Sequence, residues 1–108
     1  MKWKDGCIYM HQEVREIIRK RAVLHMNDPV IEKHREKLIH ILSQNENDTI
    51  DFLKKCSKEE ALWVSEVFEE IAYHLQSVEY INALNDVDQK YPELKLNDTI
   101  KTAVSYMD

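Results

Sequence analysis

Hydrophobic residues recur along most of this chain at intervals of three and four positions, the spacing that lines up side chains on one face of an α-helix. Cys7, Met10, Val14, Ile17 and Ile18 form the first stripe and predict a helix over about residues 8–25. Arg21 extends that stripe. Three readings stay open for it: an ion pair with an acid, a stem that snorkels to water, or the helix end. Ile31, Leu38, Ile39 and Leu42 define a second helix over about 29–44, with Glu32, Lys33, Glu36 and Lys37 outside. Its i,i+4 pairs Glu32/Glu36 and Lys33/Lys37 join like charges, so burial of the stripe must stabilise it. Ile50, Phe52 and Leu53 open a short third helix that ends near Cys56. Ala61, Val64, Phe68, Ile71, Ala72 and Leu75 give a fourth over about 58–76, and Ile81, Leu84, Val87 and Tyr91 a fifth over about 78–90. Leu94 and Leu96 bracket a loop, and Ile100, Ala103, Val104 and Met107 belong to a final helix that starts near Asn97.

Punctuation between the stripes agrees with these boundaries. Asp28 can cap the second helix, with Pro29 at a first position that loses no useful N–H. Asn45-Glu46-Asn47-Asp48 reads as a polar turn. Ser57-Lys58-Glu59-Glu60 is a capping box, in which the Ser57 hydroxyl and the Glu60 carboxylate each accept from an otherwise orphaned backbone N–H. Ser77 can cap the fifth helix, and Pro92 ends it by disfavouring helix in Tyr91. The tetrapeptide Asn-Asp-Thr-Ile at 47–50 and 97–100 reads as shared helix-start chemistry rather than a repeat, because the flanking residues align poorly.

Composition narrows the picture further. The 108 residues suit a single domain able to fold without metal or disulfide staples, and one Gly with two Pro suits packed helices joined by short turns. The expected fold is therefore all-α, one compact domain over residues 1–108 with five or six helices, arranged as an orthogonal bundle or a short αα-solenoid. No apolar run reaches the length of a signal peptide core or of a membrane span, so the expected location is the cytoplasm. There Cys7 and Cys56 are expected to be reduced packing residues, and the sequons at Asn47 and Asn97 are helix starts rather than glycosylation sites.

Little in the chain points to catalysis. His11, His25, His34, His40 and His74 are scattered without metal-ligand spacing and read as solvated or helix-end histidines. One glycine rules out a Gly-rich phosphate loop, and no nucleophile elbow occurs. A non-enzymatic protein without cofactor is expected, an enzyme whose site is assembled from distant residues being the contrary case.

Charge suggests a kind of partner. Residues 1–26 carry six Lys/Arg against three acids, whereas residues 59–108 carry three Lys against eleven. The acidic half would repel nucleic acid and attract a basic protein. The basic run Arg15, Arg19, Lys20, Arg21 is interleaved with Glu13 and Glu16 and reads as a solvated face near a helix C-terminus. On the fourth helix Glu59, Trp63, Glu66, Glu70 and Tyr73 fall within about 80° of one another, opposite the core stripe. This is the candidate partner-binding face: aromatic anchors beside carboxylates that steer a cationic partner. Glu79 and Asp86, with Asn82 and Gln89, could continue it on the fifth helix. The competing reading has Trp63 and Tyr73 packed beneath the first helix or another neighbour.

The segments Leu42-Ser43 to Glu46, Lys55-Cys56-Ser57-Lys58-Glu59-Glu60, Trp63 to Ile71 and Lys90-Tyr91-Pro92-Glu93-Leu94 resemble small helical proteins of Gram-positive bacteria, including immunity-type proteins of interbacterial toxin systems. The resemblance covers roughly residues 30–105 and implies a cytosolic protein that binds and blocks one cognate toxin, often a nuclease. The alternative is a helical adaptor or homodimeric regulator that uses the same acidic-aromatic face. Monomer and homodimer both stay open.

Overall fold

The computed structural model describes residues 2–24 and 27–107, with side chains from Met10 onward. Among these residues the helices are α1 (Lys2–Ala22), α2 (Val30–Leu42), α3 (Glu46–Lys55), α4 (Lys58–Val64), α5 (Phe68–Leu75), α6 (Val78–Lys90) and α7 (Asn97–Ser105). A 3-10 turn over Ser65–Val67 joins α4 to α5, so the fourth helix of the sequence pattern is one interrupted rod and the described residues form six helical rods. Its radius of gyration, 13.2 Å, matches the roughly 13 Å of a compact chain of this length.

The boundaries have local causes. At the start of α2, Asp28 Oδ1 accepts from Val30 N at 2.9 Å, and Ser77 Oγ accepts from Tyr80 N at 3.0 Å to start α6. Both halves of the capping box at Ser57 and Glu60 are present. The cap of α3 is Asn45, whose side chain accepts from Asp48 N at 3.0 Å, while α7 begins with no side-chain cap bond. The two Asn-Asp-Thr-Ile segments thus lie in first turns but share no capping chemistry. The first helix starts at Lys2 rather than near residue 8 and stops at Ala22 rather than 25. Trp3, Cys7 and Met10 continue the 3–4 spacing backward, which is the signal that extends it. Cys7 and His25, both assigned roles above, lie outside the described side chains.

Helices distant in sequence pack together, α3 on α6 and α1 on α4. Taken as the helix pairs α1/α2, α3/α4–α5 and α6/α7, each unit packs on the next, which suits both the orthogonal bundle and the short αα-solenoid expected from the sequence. The helices enclose one core. At its centre α4 and α5 bury Ala61, Val64, Val67, Phe68, Ile71 and Ala72, surrounded by Val14, Leu38, Phe52, Leu84 and Ile100 from the other helices. Tyr80 is fully buried and donates to Phe68 O at 3.0 Å, satisfying its hydroxyl and tying α6 to the head of α5. Cys56 is buried as the sequence suggests, and burial, with Glu60 adding to it, pushes its thiol pKa up to about 11. Two histidines depart from the solvated reading: His11 and His34 are both buried. His34 falls between Ile31 and Leu38 on the inward stripe of α2. No described helix is long and apolar enough to cross a membrane.

Candidate protein-interaction surface

The acidic-aromatic face of the fourth helix is divided. The 3-10 turn over Ser65–Val67 interrupts the rod between the Glu59–Trp63 strip and the Glu70–Tyr73 strip. Within that turn Val67 is fully buried in the core, with φ −122 and ψ 13.

Basic side chains of the first two helices cover the middle of this face. Arg21 Nε and Nη2 donate to Glu66 Oε1 and Oε2 at 3.1 and 2.7 Å, a bidentate pair. The same guanidinium lies 4.7 Å from the centroid of the Trp63 ring. Of the three readings open for Arg21, the ion pair is the one found. Arg15 Nε donates to Glu60 Oε2 at 2.9 Å. Both pairs join residues 45 apart, so α1 and the fourth helix run in the same direction where they touch. Arg35 of α2 completes the seam, its Nη2 donating to Glu66 O and to Glu70 Oε2, each at 3.2 Å. Trp63 is half-buried, and its indole N–H is shielded from solvent with no acceptor. It therefore follows the packing reading, as a platform under Arg21. Of the run expected to be a solvated basic face, Arg19 and Lys20 are exposed, whereas Arg15 and Arg21 form interhelical ion pairs.

The remaining candidates stay accessible. Glu59 is exposed on the rim of a shallow pocket with Arg15, Arg19 and Val23. Tyr73 is 59 % exposed at the end of α5. It lines a pocket of about 330 Å³ with Glu70, His74 and Tyr106, the last 45 % exposed at the end of α7. Gln76 builds this pocket. It takes up left-handed backbone at φ 48, ψ 45 to end α5, and its side-chain amide donates to Tyr73 O at 2.8 Å and Tyr106 O at 3.3 Å. A non-glycine residue in that region is strained, and here it ties together the backbones that carry both tyrosines. The rings of Tyr73 and His74 meet edge to face, 5.4 Å between centroids.

Glu79 and Asp86 are exposed on the outer face of α6 with Asn82 and Gln89. Neither carboxylate forms an ion pair with a described residue. His74 and Tyr106 were absent from the sequence-derived face. His74 adjoins Tyr73 in sequence, but the pairing with Tyr106 depends on the left-handed turn at Gln76, which no local pattern announces. Among the described residues, no three of His, Cys, Asp and Glu converge where they could hold a metal ion.

Comparison with protein-family models, curated protein sequences and solved structures returned no match.

Proposed function

We propose that the protein is a non-enzymatic module that binds a basic protein partner, with the Tyr73–His74–Tyr106 pocket as its anchor site and the carboxylates of α6 as its steering charge. The observation that carries this reading is the contrast between two sets of residues. Trp63, Glu66 and Glu70 are engaged within the fold, whereas Tyr73 and Tyr106 stand exposed around a preformed pocket. Exposed tyrosines held by a rigid frame supply contact area at small entropic cost, which is the usual make-up of a binding hot spot. Glu79 and Asp86 add unpaired negative charge in a chain of net charge −5. Neutralisation of a cognate toxin, a nuclease for example, is the special case implied by the sequence resemblance: an acidic inhibitor suits an active site built to hold phosphates.

The test begins with the reading frame immediately upstream of the gene, expressed in a bacterial host with and without this protein. Growth arrest relieved by co-expression, together with a purified complex that Tyr73→Ala and Tyr106→Ala weaken at least about tenfold without loss of stability, is the expected result. A toxic product that this protein neither binds nor restrains would remove the immunity reading. A complex indifferent to both tyrosine substitutions would move the interface elsewhere.

A further inference from the structure

The walls of the tyrosine pocket and one carboxylate oxygen beside it together specify a chemical class of occupant. The lining consists of Tyr73, His74, Tyr106 and Glu70: three aromatic rings and one carboxylate, with no Lys or Arg among them. Tyr73 and His74 belong to the last turn of α5, and Tyr106 follows the end of α7, so the two tyrosines come from separate helices. Gln76, bonded to the backbone carbonyls of both, fixes their spacing. The wall that results is almost wholly apolar.

Glu70 precedes Tyr73 by three residues and His74 by four, which puts all three on one side of α5. Its two oxygens have different surroundings. Oε2 accepts from Arg35 Nη2 at 3.2 Å, whereas Oε1 is shielded from water and has no hydrogen-bond partner. Arg35 neutralises the carboxylate only in part, because the same guanidinium also faces Glu32, whose Oε1 lies 3.7 Å from Nη1. One cation is thus shared between two carboxylates. A buried oxygen without a donor carries an uncompensated desolvation cost, and a donor brought in by a ligand would remove it. The terminal torsion of a glutamate is broad and the Glu70 side chain is 36 % exposed, so turning the carboxylate lets Oε1 meet a donor entering from the pocket.

We propose that the pocket receives an arginine side chain of the basic partner, its guanidinium stacked on the tyrosine rings and donating to Glu70 Oε1. This rests on the reading of the pocket as the anchor site and names what the anchor holds. The face of a tyrosine ring is the negative part of its quadrupole and attracts a cation. Of the two common cationic side chains, arginine ends in a planar, weakly hydrated group that stacks on a ring and sheds water more readily than an ammonium. In an almost wholly apolar pocket that difference selects arginine over lysine. An apolar side chain would cover the same walls but leave Oε1 without a donor, and an anionic one would meet the carboxylate.

Titration of the full chain with single-residue probes, followed by the NMR shifts of Tyr73, His74 and Tyr106, tests this without any partner protein. The probes are the N-acetyl methylamides of arginine, lysine and citrulline, the last an uncharged isostere of arginine. Arginine is expected to bind with a Kd on the order of 10 mM, at least about fivefold tighter than citrulline and at least about twofold tighter than lysine. Tyr73→Leu and Tyr106→Leu keep apolar area but remove a π face, and each is expected to weaken arginine binding at least about threefold, whereas Tyr73→Phe keeps it within about twofold. Glu70→Gln keeps the shape and should weaken arginine but not citrulline. Both tyrosines are exposed, so their variants carry the test if Glu70→Gln disturbs the Arg35 contact, and circular dichroism checks the fold of each. Citrulline binding as tightly as arginine overturns the inference. So do leucine variants that bind arginine like the wild type, or shifts that do not move up to about 100 mM arginine probe. If a partner complex nonetheless depends on Tyr73 and Tyr106, the anchor reading stands and only the choice of arginine falls.

Discussion

At Ser57 the backbone is extended (φ −78, ψ 168) and the next residue opens α4. Glu60 makes that start more than a local event: Oε1 accepts from Ser57 N at 2.8 Å while Oε2 accepts from Arg15 at 2.9 Å. One carboxylate both closes the capping box and holds α1. Ser57→Ala is expected to cost about 0.5–2 kcal/mol, measured by urea denaturation, and Glu60→Ala to cost more because it removes both bonds. Equal costs would mean that the contact with Arg15 contributes nothing. His11 sets a pH dependence. It packs edge-on against Phe52 at 5.4 Å between centroids, with Nε2 3.5 Å from Asp51 Oδ2. Burial pushes its pKa below the ordinary 6.5, Asp51 offsetting part of that. The folded protein then binds fewer protons than the unfolded chain in the window between the lowered value and 6.5. The His11 contribution is complete above 6.5, falls as pH descends through that window, and levels off below it. Denaturation midpoints between about pH 7.5 and about pH 5 should fall less steeply in His11→Gln than in the wild type; parallel curves would rule out His11 as the cause.

At the scale of elements, α1 is fastened to the fourth helix by a stack of Trp63, Arg21 and Glu66. The Arg21 side chain is only 12 % exposed, so its two hydrogen bonds are better shielded than those of a surface ion pair. A double-mutant cycle with Arg21→Met and Glu66→Gln is expected to give a coupling of about 1–3 kcal/mol; a value near zero would mean that apolar packing alone holds α1. Why the sequence disclosed the stripes but not this stack is a matter of range. Ala61, Val64, Phe68, Ile71 and Ala72 share a face through the turn of one helix, and the caps at Asp28, Ser57 and Ser77 involve residues two or three apart, so both are written locally. The stack joins residues 45 apart, and a charged side chain on an apolar stripe has several ways to be satisfied. The 3-10 interruption was hidden for a related reason. Nothing in Ser65-Glu66-Val67 breaks a helix by propensity; the turn tightens there, where Val67 is buried in the core. Likewise Tyr80 sits one position from Ile81, and the 3.6 period does not decide which of two adjacent residues turns inward.

Across the whole molecule the uneven charge of the two halves has two destinations. Part is neutralised inside, where Glu60, Glu66 and Glu70 meet Arg15, Arg21 and Arg35. The rest stays outside, with Glu79 and Asp86 among the carboxylates left unpaired. Charge reversals at the two places should therefore have opposite signatures. Glu66→Lys/Glu70→Lys sets like charges against Arg21 and Arg35 in a half-buried seam and is expected to lower stability by at least about 2 kcal/mol. Glu79→Lys/Asp86→Lys alters only solvated positions and should leave stability within about 0.5 kcal/mol. Towards a basic partner the order inverts. The α6 reversal should slow association at least about tenfold at low salt, an effect that fades as added salt shortens the Debye length from about 10 Å at 0.1 M. Tyr73→Ala should instead speed dissociation and cost at least about 2 kcal/mol of affinity, because an anchor residue acts after encounter. Surface plasmon resonance at two salt concentrations separates these effects. If the α6 reversal leaves the on-rate unchanged while the fold is intact, its carboxylates are merely solvated, and the steering charge must come from another face of the bundle.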